Sequence, residues 1–178
     1  MGLITQKTKS IKSIKKIKNY LNNEIIIGID PGASGGVSWI NSDCNEICAE
    51  PCPKTNIGMA QLIRNIVGVN QKTNTTGVQA YLELVHAFPT GGRSSLFKFG
   101  TNYGKWQGIL ASFGIEPIFV TPQKWQKSYG ELPKIKKERK NEMKNIACEL
   151  SGLKVTLKTA DAILIAIYGY NQSMAIKE

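Results

Sequence analysis

The sequence predicts an α/β fold, a mixed five-stranded sheet flanked by helices. Three observations predict it. Residues 24–37, EIIIGIDPGASGGV, open with the β-branched run Ile25, Ile26 and Ile27, the pattern of a strand buried on both faces. Two further short strand patterns follow at once, over 36–40 and about 44–50, with Asn41, Ser42 and Asp43 as the turn of an antiparallel meander. Later strand patterns over 78–84 and 115–120 are then interleaved with helical ones.

Residues 1–23 hold no acidic side chain and carry Lys7, Lys9, Lys12, Lys15, Lys16 and Lys18. Ile11, Ile14, Ile17 and Leu21 recur at helical spacing, which fits a basic amphipathic helix, but a flexible basic arm is the plainer reading. A mitochondrial transit peptide fits poorly because the segment lacks arginine. Myristoylation at Gly2 fails because Gln6 stands where Ser or Thr is needed. The folded domain is expected over 24–172, with 173–178 as a tail.

The first strand ends at Asp30 and breaks into a loop of Pro31, Gly32, Gly35 and Gly36. A carboxylate at the carboxyl edge of a central strand faces the crevice where open sheets bind ligands. An aspartate that only caps the following turn leaves the same pattern. Pro51 and Pro53 stop the meander, and Ile57, Met59, Ala60, Ile63, Ile66 and Val67 predict a helix over 56–68. A polar loop over 71–77 precedes the strand 78–84. There Val78, Ala80, Leu82 and Leu84 share one face, and Gln79, Tyr81 and Glu83 the other. Glu83, like Asp30, therefore sits near a strand end.

The next loop, VHAFPTGGRSS, leads into a helix that Ser94 or Ser95 is expected to cap and that runs to about Phe113. Gly100, Gly104 and Gly108 stack on one face of it. Each costs about 1 kcal/mol against alanine, so close approach of another backbone is expected, from this chain or from a second copy. After the strand 115–120, Thr121 and Pro122 read as an N-cap and first helical residue. A basic helix follows over 134–150 with Lys134, Lys136, Lys137, Arg139, Lys140 and Lys144. It is a solvated face or a phosphate-tracking one, and Lys124, Trp125 and Lys127 extend it. Finally, Thr159 is expected to cap a helix over 159–170 that is apolar nearly all round and therefore buried, with Asp161 in its first turn.

At 178 residues the chain fits one domain with a sizeable core, and its 42% hydrophobic content is ordinary. Its net charge of +10 is not, and points to a polyanion, either nucleic acid or an anionic membrane surface. The only arginines are Arg64, Arg93 and Arg139, so diffuse phosphate contact is favoured over bidentate reading of bases. No apolar run approaches the roughly 18 residues that span a bilayer, so a soluble, intracellular protein is expected. Cys44, Cys48, Cys52 and Cys148 read as free thiols of a reducing compartment. Their spacing is no familiar zinc pattern, and the one histidine, His86, is remote in sequence.

Asp30, Glu83 and Asp161 stand out as three separated acids, and here the sequence resembles the RuvC family of Holliday junction resolvases, ribonuclease H-like nucleases. The segments that carry the resemblance are IIIGIDPGASGGV, YLELVHAFP, SSLFKFGTNYGKWQGIL, VTPQKWQK and KTADAILIAIYG, spanning about 25–170. In detail they look closest to phage and viral members, which would place the chain in a host cytoplasm. The resemblance implies a homodimer that nicks opposing strands of branched DNA, above all four-way junctions. It implies two Mg²⁺ ions, with Mn²⁺ as a substitute, held by Asp30, Glu83 and Asp161. It makes Phe88 and Phe97 candidates for stacking into the opened junction, while the basic charge itself makes Arg93, Lys124, Lys127, Lys136, Lys137 and Lys140 candidates for DNA contact. Gly100, Gly104 and Gly108 match the segment that pairs the two subunits.

One position departs. Relatives often carry an acid or a histidine about three residues before the last aspartate, and Lys158 stands there. Lysine is no metal ligand when protonated, but it can hold a phosphate or steer a water, which makes it a catalytic candidate. His86 is expected to fix its loop by hydrogen bonds. A catalytically inactive junction binder on the same fold, and a membrane-surface protein attached by its basic arm, are alternatives. A sugar kinase or actin-like ATPase shares the strand–Asp–glycine loop but needs a second such loop. None is present, so no nucleotide cofactor is expected.

Overall fold

The computed structural model of the chain describes residues 24–41, 46–70, 77–84 and 92–175. The basic arm, Cys44, the turn after Asn41, most of the polar loop, His86, Phe88 and residues 176–178 lie outside them.

Three apolar runs become the heart of one sheet. Strand β1 (Glu24–Ile29) is buried along nearly its whole length. It pairs antiparallel with β2 (Gly36–Asn41), which pairs antiparallel with β3 (Glu46–Pro51), giving the expected meander. On its other side β1 pairs parallel with β4 (Gly77–Glu83), and β4 pairs parallel with β5 (Pro117–Val120). The order is β3-β2-β1-β4-β5, a mixed five-stranded sheet as expected.

Alternation along β1 and β4 divides the core into two layers. Ile25, Ile27 and Ile29 of β1, with Ala80 and Leu82 of β4, face helices α1 (Asn56–Asn70) and α2 (Arg93–Ser112) through Met59, Ile63, Ile66, Trp106 and Leu110. Ile26 and Tyr81 face the opposite way, toward α4 (Lys136–Ser151) and α5 (Ala160–Ala175). Helix α5 is buried over almost its whole length, as its composition requires, and it continues to Ala175 with Ser173 buried. The short α3 (Pro122–Gln126) and a 3-10 turn (Lys127–Tyr129) join β5 to α4. Among the described residues no helix is long and apolar enough to cross a membrane, and Cys48, Cys52 and Cys148 are not disulfide-bonded.

Several details correct the sequence reading. Helix α2 starts at Arg93 with Gly92 at its N-cap and no side-chain cap, so neither Ser94 nor Ser95 serves. Strand β5 begins at Pro117, leaving Ile115 as a buried residue of the preceding turn. Helix α4 begins at Lys136, after Lys134. Thr159 does precede α5, but its hydroxyl is spent on Thr156: it accepts from the Thr156 N–H at 3.2 Å. Thr121, by contrast, caps α3 as predicted, its hydroxyl oxygen accepting from the Lys124 N–H at 3.3 Å.

Candidate active site

Asp30, Glu83 and Asp161 arrive at one end of the sheet from three elements. Ile29 of β1 lies opposite Leu82 of β4 in the parallel register, and Asp30 and Glu83 are the next residue on each chain. Asp161, the second residue of α5, is delivered by an unusually close contact of that helix with β1. A Cβ at Gly28 would stand 2.3 Å from the Ala166 nitrogen and 2.4 Å from the Ala162 oxygen. Only glycine lets the two backbones meet there.

The loop after β1 is tied down around Asp30. Its Oδ1 accepts from the Gly32 N–H at 3.0 Å, and its own N–H donates to the Gly36 carbonyl at 3.0 Å. A Cβ at Gly35 would meet the Asp30 carbonyl oxygen at 2.3 Å, so this glycine is required by close approach as well. The Cys52 N–H holds the Gly35 carbonyl at 2.9 Å, and Asn102 of α2 donates through Nδ2 to the Pro31 carbonyl.

All three acids are raised, and the charge of Asp30 contributes to the rise of the other two. Burial is the first cause in each case, because a desolvated carboxylate is costly. Glu83 is pushed up to about 8 by burial and then by the charge of Asp30, with Asp161 adding to it and the Trp125 hydrogen bond opposing. Asp161 is pushed up to about 6 by burial and by Asp30, while Lys140 acts against the rise. Asp30 is raised by burial, offset by the Gly32 hydrogen bond and by Lys140. Lys140 is therefore the cation felt by two of the acids. It lies on α4 three residues before Met143 and seven before Ala147, both buried, so its face is the one turned to α5.

Carboxylates are the oxygen ligands that a hard divalent cation takes, so in chemical type, though not in their present spacing, these residues suit one. Among the described residues, however, no group of three or more His, Cys, Asp or Glu side chains lies close enough together to hold a metal ion, so the three acids do not form a ready-made site. Glu83 has one oxygen engaged, its Oε1 accepting from Trp125 Nε1 at 3.0 Å.

The remaining candidates surround this end or lie apart from it. Lys158 is an exposed residue of the turn before α5, and its carbonyl lies 2.6 Å from where a Gly36 Cβ would be. Arg93, Lys124, Lys127, Lys136, Lys137 and Lys140 are exposed. Trp125 is not: it is fully buried beneath Glu83, so it does not extend the basic surface. In a helix of five residues no periodicity marks an inward face, yet Trp125 is the one large apolar side chain of α3. Gly100, Gly104 and Gly108 are exposed, with nothing among the described residues within 4 Å of a Cβ at any of them. No described part of this chain therefore uses the close approach they permit. Phe97, 78% exposed, shares their helix face, seven residues before Gly104.

No family model matches the sequence, and no curated protein is similar to it. Solved structures are. Thermus thermophilus RuvC in complex with a Holliday junction substrate superposes with a TM-score of 0.57 at 16% identity, covering 85% of this chain and 96% of that one. The structure of Thermus thermophilus RuvC by itself gives a TM-score of 0.54 at 16% identity, with the same coverage. A mixed sheet in the order β3-β2-β1-β4-β5, helices on both faces and these matches together give the chain the ribonuclease H-like fold of the RuvC Holliday junction resolvases.

Proposed function

We propose that the chain is a divalent-cation-dependent, structure-selective endodeoxyribonuclease that resolves four-way DNA junctions as a homodimer. The observation that supports the reading is that Asp30 and Glu83 end neighbouring parallel strands and that Asp30, Glu83 and Asp161 are all raised by burial, with the charge of Asp30 adding to the rise of the other two. The fold supports it, since the superposed Thermus thermophilus RuvC holds a Holliday junction substrate. A net charge of +10 suits a DNA partner, and with it an intracellular site of action.

Asp30, Glu83 and Asp161 would hold one or two Mg²⁺ ions, or Mn²⁺ in their place. When bound, such ions lower the pKa of an attacking water and stabilise the leaving oxygen of a phosphodiester. Burial of Glu83, and partial burial of Asp30 and Asp161, would leave the carboxylates poorly hydrated and so strengthen their grip on a cation. Lys140 would hold phosphate charge beside the acids, with Lys136 and Lys137 continuing the contact along α4 and Lys124, Lys127 and Arg93 adding to it. The open glycine face of α2, with Phe97 as an apolar anchor, is the surface on which a second copy would pack.

The test is incubation with end-labelled four-way junctions and linear duplexes, with and without Mg²⁺. Paired nicks in the junction alone, and only with Mg²⁺, are expected. A second reading, an inactive junction binder, is favoured by Lys158, which supplies no fourth ligand, and by acids that do not already close on one ion. Junction binding without nicking in either Mg²⁺ or Mn²⁺ would select it.

A further inference from the structure

Trp125 has no part in the chemistry above, yet its indole N–H, fully buried, donates to Glu83 Oε1 at 3.0 Å. The geometry fixes this contact from several sides. Glu83 pairs with Val120 in the β4–β5 register, and the Leu84 N–H donates to the Val120 carbonyl at 2.8 Å. One residue on, Thr121 caps α3 and Pro122 starts it, so Trp125 stands on a helix anchored directly to the strand beside Glu83. The indole meets the Tyr129 ring edge-on, with centroids 6.3 Å apart and planes at 70°. The Tyr129 hydroxyl in turn donates to the carbonyl of Leu164 on α5, three residues after Asp161.

Glu83, Trp125, Tyr129 and Leu164 thus form a continuous strut between the strand that carries one acid and the helix that carries another. We propose that Trp125 is a positioning residue, whose N–H pins Glu83 Oε1 and leaves Oε2 for the cation while the Tyr129 contact holds α5, and with it Asp161, at a fixed distance. The inference rests on the nuclease reading and deepens it: the donor oxygen of Glu83 is chosen by a buried indole. An aromatic N–H suits this task because it donates once, in the ring plane, and cannot become a ligand itself. Lys124 and Lys127 are exposed on the same short segment.

The test uses the full chain and two variants, Trp125→Phe, which removes the N–H but keeps a ring, and Tyr129→Phe, which removes the hydroxyl. Leu110→Ala, in the other core layer, is a control for simple loss of packing. Two quantities are read: the rise in Tm on titrating Mg²⁺ without DNA, and the Mg²⁺ concentration at half-maximal nicking of a four-way junction. Loss of a hydrogen-bond partner to a metal ligand typically weakens metal affinity or activity by about 10- to 100-fold. Both Phe variants should therefore need at least about tenfold more Mg²⁺ in both measurements, with junction affinity in EDTA unchanged and kcat recovering at saturating Mg²⁺. Leu110→Ala should lower Tm without moving the Mg²⁺ midpoint. If Trp125→Phe does not fold, Tyr129→Phe alone decides. A wild-type response to Mg²⁺ that the folded variants reproduce overturns the strut and leaves the nuclease reading standing. A wild type that neither gains Tm from Mg²⁺ nor nicks the junction overturns both.

Discussion

Glu83 has its carboxyl pushed up from 4.5 to about 8, so it is the folded protein that holds the extra proton near neutrality. A carboxyl raised in this way contributes stability that is complete below the unfolded-state pKa and is lost as pH rises through the folded one. Without divalent cations, Tm should therefore fall as pH rises from 4.5 to about 8, with Asp161 contributing up to about 6. Glu83→Gln should flatten that slope, and added Mg²⁺ should reverse it above pH 7 by binding the ionised form. A pH series of melting curves with and without EDTA checks the sign. Asp30→Asn, Glu83→Gln and Asp161→Asn should each lower nicking by at least about 10³-fold while junction affinity stays within a few-fold, since each removes a ligand and leaves the basic surface intact. Single-turnover cleavage beside a binding titration separates the two effects. All three acids were legible in the sequence, two because they end strands and one because it opens a buried helix. Lys140's nearness to two of them was not, because a lysine in a run of lysines is placed only by how α4 docks on α5.

Strand β1 and helix α2 use glycine in opposite ways. At Gly28 the added Cβ would meet the backbone of α5 at 2.3 Å, whereas at Gly104 it would meet nothing within 4 Å among the described residues. Gly28→Ala should therefore cost more than the about 1–3 kcal/mol usual for overpacking, and disrupt the placement of Asp161. Gly104→Ala should instead raise the stability of the isolated chain by up to about 1 kcal/mol. Urea unfolding measures both. If the glycine face of α2 is the pairing surface, Gly104→Arg should leave that fold intact and give monomers in sedimentation equilibrium. Helix α4 makes a separate prediction: neutralising Lys136, Lys137 and Lys140 together should weaken junction binding and reduce the slope of log affinity against log salt by roughly 2 to 3. The three-in-register glycines were visible in the sequence, but whether the sheet or a second copy used them was not. That depends on which face of α2 its apolar residues turn inward, and the weak amphipathy of a helix with both Trp106 and exposed Phe97 does not decide it.

At the scale of the whole molecule, a sheet covered on both faces explains why so much of the fold was readable. Strands buried on both sides, such as β1, appear as unbroken apolar runs, and a central helix such as α5 appears apolar all round. The antiparallel half followed from short turns between successive runs. Which strands pair in the parallel half, β1 beside β4 beside β5, did not, because those pairings join residues more than fifty positions apart for β1 and β4, with no local turn to announce them. The candidate site lies where the two halves meet, so its acids could be named from the sequence but not placed relative to one another. Trp125 escaped for the same reason: a tryptophan flanked by lysines reads as surface until β5 is placed beside β4. The account comes down to whether this arrangement cuts branched DNA with a bound cation. The most direct measurement is cleavage of a labelled four-way junction and a matched linear duplex by the intact chain across a Mg²⁺ titration. The expected result is saturable, Mg²⁺-dependent nicking confined to the junction and lost in Asp30→Asn. Cleavage that ignores Mg²⁺, survives in Asp30→Asn, or is absent altogether from a protein that binds the junction would contradict it.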